Sequence, residues 1–75
     1  MVKLPQIKGN SLASALKKEG WHVDHSRGSH VIMRHVDRPG TMIVIPIHKK
    51  PLKPGTLSNI LKKAGLSPQE IKKLL

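Results

Sequence analysis

The chain has 75 residues, no cysteine, a single tryptophan as its only aromatic residue, and fourteen Lys and Arg against four Asp and Glu, for a net charge of +10. That length points to one domain, residues 1–75, with a core worth only ~3–5 kcal/mol and no disulfide to reinforce it. The charge excess points to a polyanionic partner, and one aromatic is too few for a base-stacking platform, so contact with nucleic acid would run through phosphate and sugar.

The opening "MVKLPQIKGN" is too short and too polar to read as a signal peptide, and no apolar run approaches the ~18 residues that span a bilayer; the reading is a cytoplasmic protein without a membrane segment. "GNSLASALKKEGW" predicts a first helix, capped by Asn10 or Ser11, with Leu12, Ala15 and Leu16 as its apolar stripe and Gly20 as a left-handed stop. Two strands, "WHVDHS" and "HVIMRHV", follow around an "RGS" turn. Strict alternation puts Trp21 and Val23 on one face of the first strand and His22 and Asp24 on the other. "DRPGT" reads as a turn in which Gly40 is free to take positive φ, and "TMIVIPI" as a third strand that is apolar on both faces. Pro46 marks an edge or an end of that strand. A two-faced apolar edge strand is a liability in water, so a partner is expected to cover what the helices leave open.

After the basic, proline-stiffened "HKKPLKPG", the stripe Leu57, Ile60, Leu61 and Ala64 predicts a second helix that ends at Gly65. Ser67, Pro68 and Glu70 form a capping-box start for a short third helix that uses Ile71, Leu74 and Leu75. Helix, three consecutive antiparallel strands, helix and small helix give an α+β two-layer sandwich.

Five histidines are the chemical feature of the chain. His22-x-x-His25 is a poor metal pair, because strand alternation separates the two rings and neither cysteine nor enough carboxylate is present to complete a shell; no metal and no cofactor is expected. A hydroxyl nucleophile is not specified either, since Ser29 and the adjacent His30 would point to opposite sides of a strand. His30 stands out by position. It follows Gly28 and Ser29 at the mouth of the hairpin, where glycine lets a phosphate approach the backbone. Arg27 and Arg34 bracket it with positive charge. Imidazole serves as base or acid near neutral pH, and RNA carries its own nucleophile in the 2′-hydroxyl. On residue types alone the favoured reading of His30 is a half-exposed strand histidine that only touches phosphate. A second cationic cluster, His48, Lys49, Lys50 and Lys53, crowds the start of the second helix, whose free N–H groups near Gly55 and Thr56 favour an anion.

"LKKEGW", "GSH" after the first short strand, and "IVIPIHKKPLKPGTLSNILKKAGLS", in that order, resemble the HicA family of toxins, over roughly residues 9 to 72. The resemblance implies a fold like a double-stranded-RNA-binding domain, metal-independent cleavage of mRNA that stops translation, and a HicB antitoxin that binds the toxin and blocks its active surface. It implies that the catalytic histidine of the Gly-Ser-His turn is His30 and that His48 contacts RNA. Many relatives read Gly-Ser-His-His where this chain has Val31. Alternation turns residue 31 away from residue 30, so little loss is expected. The resemblance also offers an antitoxin, or a second copy of the chain in a homodimer, as the cover for the third strand. The rival reading is a non-catalytic RNA-binding module on the same fold, which would recognise duplex shape and equally need no aromatics.

Overall fold

A computed structural model describes residues 4–75; residues 1–3 of the segment read as too polar for a signal peptide lie outside the described residues. The order is α1 (Gly9–Lys17), β1 (Trp21–Arg27), β2 (His30–His35), β3 (Arg38–Pro46), α2 (Pro54–Ala64) and α3 (Pro68–Leu74). The strands form an antiparallel sheet in the order β1-β2-β3, and α1 and α2 pack against one face of it, giving the expected α+β arrangement. No helix among the described residues is long and apolar enough to cross a membrane.

The core lies between the layers. Leu12, Ala15 and Leu16 of α1, Leu57, Ile60, Leu61 and Ala64 of α2 and Ile71 of α3 meet Trp21, Met33, Ile43 and Ile45 of the sheet. Among the described residues no polar or charged side chain is buried. The charged side chains of the described residues therefore lie outside the core, which is apolar, with burial worth roughly 25 cal/mol per Å². Ile71 is fully buried and Leu74 packs at the edge, but Leu75 stays 53% exposed and takes no part in the core.

Several local features depart from the pattern reading. α1 begins at Gly9, and Lys8 occupies its N-cap position without a side-chain hydrogen bond, so neither Asn10 nor Ser11 caps it. The reason is packing. A Cβ on Gly9 would fall inside the Pro46 carbonyl oxygen and crowd Ile45 and Ile47, so the helix is set by its close approach to the end of β3. α1 gives way at Lys18, and the left-handed Gly20, φ 92°, lies in the turn that follows.

The β2–β3 turn is Val36-Asp37, not "DRPGT": β3 already starts at Arg38, which pairs with His35. The Asp37 N–H donates to Nδ1 of His35 at 3.1 Å and closes the turn early. The register between β2 and β3 then shifts between Arg34 and His35, and Pro39 and Gly40 fall within that irregularity, where a residue without a donor is tolerated on an edge strand. Gly40 is not among the positive-φ glycines, so its freedom is unused.

The capping box of α3 forms as read: Ser67 Oγ accepts from the Glu70 N–H at 3.1 Å, and Glu70 Oε1 accepts from the Ser67 N–H at 3.0 Å. Other helix ends are closed from a distance. Arg38 Nη1 donates to the Lys63 carbonyl at 3.1 Å and Lys18 Nζ to the Leu74 carbonyl at 2.7 Å, placing a cation at the negative end of α2 and of α3.

Candidate active site

The histidine-rich hairpin is built by β1 and β2. Cross-strand partners put Trp21, Val23, Met33 and Val31 toward the helices, and three rows of side chains on the open face: His22 with Arg34 and Met42, His25 with Ile32 and Val44, Arg27 with His30 and Pro46. Strict alternation does not produce the second row. A bulge between Val23 and His25 makes Asp24 the extra residue, and every residue after it changes face. His22 and His25 therefore share the open face, contrary to the expectation that their spacing separates them, and His25 takes the position opposite Ile32 that strict alternation would give to Asp24. Even so, no group of three or more His, Asp or Glu among the described residues is placed to hold a metal ion.

Gly28 and Ser29 form the turn before His30. Gly28 takes φ 54°, and a Cβ there would meet nothing within 4 Å, so the backbone at this turn is open to an approaching group. The Ser29 carbonyl accepts from the Ile47 N–H at 2.7 Å. That bond continues the β2–β3 ladder past Pro46 and fixes the hairpin tip beside the basic loop. The Leu52 N–H, donating to the Ile7 carbonyl at 2.8 Å, ties the far end of the same loop to the segment before α1.

His30 is exposed and stands where two clefts meet. The first, about 580 Å³, is lined by His30, Pro46, His48, Lys49, Lys50, Lys53 and Thr56 among others. The second, about 480 Å³, lies on the open sheet face between His25, Arg27, His30, Ile32, Arg34, Met42 and Val44. Both are cationic, and among the described residues no carboxylate lines either one. Of the residues singled out in the sequence, His48, Lys49, Lys50 and Lys53 come together with His30 in the first cleft, and Arg27 and Arg34 join it in the second. Gly28 and Ser29 line neither cleft and act through the backbone of the turn. Val31 faces away from His30 and packs against the core, as alternation requires.

The N-terminus of α2 supplies the floor of the first cleft. Lys53 is the N-cap residue and Pro54 the first helical residue, where its missing N–H costs nothing. Thr56, one residue beyond Gly55, reaches the cleft wall. Lysines and a helix N-terminus beside one imidazole can bind an anion and move a proton next to it.

Thr56, at the helix start that the sequence marks as favouring an anion, lines the first cleft. Two parts of this surface are not evident from the sequence. Ile32, 5% exposed, lies on the open face outside the core cluster and lines the second cleft with Arg27, Arg34, Met42 and Val44. His25 was passed over because its face depended on the bulge. Its Nδ1 is 2.7 Å from Asp24 Oδ2, and Arg34 Nε is 3.8 Å from the same oxygen. The hydrogen bond from His25, followed by the positive field of its neighbours, holds the Asp24 carboxyl below its ordinary value of 3.8.

A further hairpin histidine, His35, is structural. His35 donates from Nε2 to the Glu19 carbonyl at 2.8 Å, accepts from the Asp37 N–H through Nδ1, and stands edge-on to Trp21 with ring centroids 5.2 Å apart. Only the tautomer with hydrogen on Nε2 satisfies both bonds, which commits the ring to holding the α1–β1 turn against the β2–β3 turn.

The chain is a small α+β protein with an exposed histidine between two cationic clefts. The family model described as HicA toxin of bacterial toxin-antitoxin matches residues 9–66, which include every element from α1 through α2. The chain belongs to the HicA toxin family, and is thus a toxin of the toxin–antitoxin kind, with an antitoxin as its implied partner. Comparison with curated proteins gives no match.

Proposed function

We propose that this protein is an mRNA endonuclease that stops translation without a metal ion, with His30 as the group that transfers the proton at the cleaved phosphodiester. The observation that carries this reading is the position of His30, exposed at the junction of the two cationic clefts rather than beneath the helices. The ribose 2′-hydroxyl attacks the adjacent phosphorus as the bond from phosphorus to the 5′-oxygen breaks, His30 takes the hydroxyl proton, and Lys49, Lys50, Lys53, Arg27 and Arg34 balance the charge that grows on the phosphoryl oxygens. His48 and the free end of α2 hold the strand on the loop side, while Gly28 and Ser29 leave room for the backbone. In this reading the whole chain acts as one domain in the cytoplasm. A HicB-type antitoxin covers the clefts, and that antitoxin or a second copy of the chain shields Met42 and Val44 on the open face, which are 41% and 37% exposed.

The test is cleavage of RNA by the purified protein in chelator, wild type beside His30→Ala. Cleavage by wild type, with a loss of about 10²–10⁴ in rate for the variant, supports the reading. Binding without cleavage by wild type would leave a non-catalytic RNA-binding module. Equal cleavage by both proteins would remove His30 from the chemistry.

A further inference from the structure

We infer that His25, held by Asp24, is the second proton-transfer group of the site: the general acid that protonates the departing 5′-oxygen while His30 takes the 2′-hydroxyl proton. This rests on the proposed ribonuclease reading.

Three features of the sheet support it. The bulge at Asp24 brings His25 onto the open face in the row next to His30, and both rings line the same cleft. His25 pairs with Ile32 and His30 with Arg27, so the two histidines are diagonal cross-strand neighbours. The backbones of diagonal positions stand about 7–8 Å apart, near enough for two long side chains on one face to reach the same group.

The Asp24 carboxylate engages Nδ1 of His25 at 2.7 Å, which leaves Nε2 as the atom that carries the transferable proton. A carboxylate that orients an imidazole and balances its charge is the arrangement that general acid–base histidines use in unrelated enzymes. The surroundings of the two rings differ. Asp24 orients His25 through Nδ1, whereas His30 shares its clefts with Arg27, Arg34 and the loop lysines and with no carboxylate among their lining residues. Both His25 and Asp24 are well exposed, 43% and 40% for their side chains, so RNA can reach them.

The step balances. The bond from the 2′-oxygen to phosphorus forms as the bond from phosphorus to the 5′-oxygen breaks. His30 gains the 2′-hydroxyl proton and His25 gives its Nε2 proton to the leaving oxygen. The products are a 2′,3′-cyclic phosphate and a 5′-hydroxyl, and no water or other reactant is consumed. Arg27, opposite His30, and Arg34, 3.8 Å from Asp24, exchange no proton and balance the charge on the phosphoryl oxygens.

The experiment uses the full chain and an oligoribonucleotide whose cleaved linkage has been located with wild type. The same oligonucleotide is then made with sulfur in place of the 5′-bridging oxygen. A thiolate leaves without being protonated, so it removes the need for the acid and not for the base. The expected result is a loss of about 10²–10⁴ for His25→Ala on the oxygen linkage and recovery to near the wild-type rate on the sulfur linkage. His30→Ala should stay slow on both. Asp24→Asn, a positioning variant, should lose less and recover in the same way.

His25→Ala cleaving the oxygen linkage as fast as wild type would overturn the inference while leaving the His30 reading in place. A loss equal on both linkages would make His25 a binding or positioning residue and would also overturn it. Recovery of His30→Ala instead of His25→Ala would reverse the two roles and overturn the assignment. Failure of wild type to cleave any RNA would remove the ribonuclease reading itself, and the inference with it. Circular dichroism and urea unfolding of each variant, with His25→Gln as the conservative alternative, separate a loss of chemistry from a loss of fold.

Discussion

His35 and Glu19 are joined by a 2.8 Å hydrogen bond from the imidazole Nε2 to the backbone carbonyl, and the other ring nitrogen accepts from Asp37. His30, five residues earlier on the same strand, faces the opposite side of the sheet and lines both clefts. The two rings should respond differently to truncation. His35→Ala removes two hydrogen bonds and the edge contact to Trp21, and should destabilise the fold by about 1–3 kcal/mol. His30→Ala should change stability by no more than about 0.5 kcal/mol. Urea unfolding of the two variants beside wild type checks this. Equal destabilisation would mean that His30 is held in the fold and not free for chemistry.

The close approach of Gly9 to the end of β3 gives a second expectation. A methyl group at residue 9 must displace either the start of α1 or the Pro46 carbonyl. Gly9→Ala should therefore destabilise by about 1–3 kcal/mol, although alanine is the better helix former. Pro46 pairs with His30, so cleavage should fall as well. A thermal melt unchanged from wild type would show that the α1–β3 contact yields freely.

The capping box of α3 makes stability depend on acid. The Glu70 carboxyl is held below its ordinary value of 4.5, first by the hydrogen bond from the Ser67 backbone N–H. A folded-state value below the unfolded one contributes stability that is present above pH 4.5 and is lost as the pH falls through the lower folded value. Thermal melts from pH 7 down to pH 3 should show a steeper acid loss for wild type than for Glu70→Gln. Parallel curves for the two would remove the carboxylate from the cap. Ser67→Ala should cost about 1 kcal/mol at neutral pH.

Salt dependence reads the number of phosphates engaged. If four cations of the clefts meet single-stranded RNA, the logarithm of the association constant should fall against the logarithm of salt with a slope of about −2.8, so a fourfold rise in salt weakens binding about fiftyfold. Each alanine at Lys49, Lys50 or Lys53 should reduce the slope by about 0.7. Fluorescence anisotropy of a labelled oligonucleotide across a salt series measures it. A slope near zero would mean that these lysines do not meet phosphate.

Much of the fold was legible because local patterns carried it. Periodic stripes predicted α1 and α2, the Ser-x-x-Glu spacing predicted the cap of α3, and the β-branched run before Pro46 predicted β3. The cation cluster before α2 was equally plain from residue types. The face of His25 was not legible, because one bulged residue reverses every later side chain and nothing local marks Asp24 as that residue. The "RPGT" sequence misled for a related reason: a turn signal was outweighed by the bond from the Asp37 N–H to His35, which closed the hairpin two residues earlier.

By itself the sequence determined the α+β order of elements, the apolar stripes that bury the core and the net charge of +10, since periodicity, caps and charge are written residue by residue. Only the tertiary structure decided which histidines share a face. It turned His35 into a brace, joined the hairpin tip to the lysine loop through Ser29 and Ile47, and set His25 beside His30 on one open surface. Those outcomes depend on strand register and on hydrogen bonds between residues distant in the chain, and a change of one residue in register exchanges the inside of a sheet for its outside.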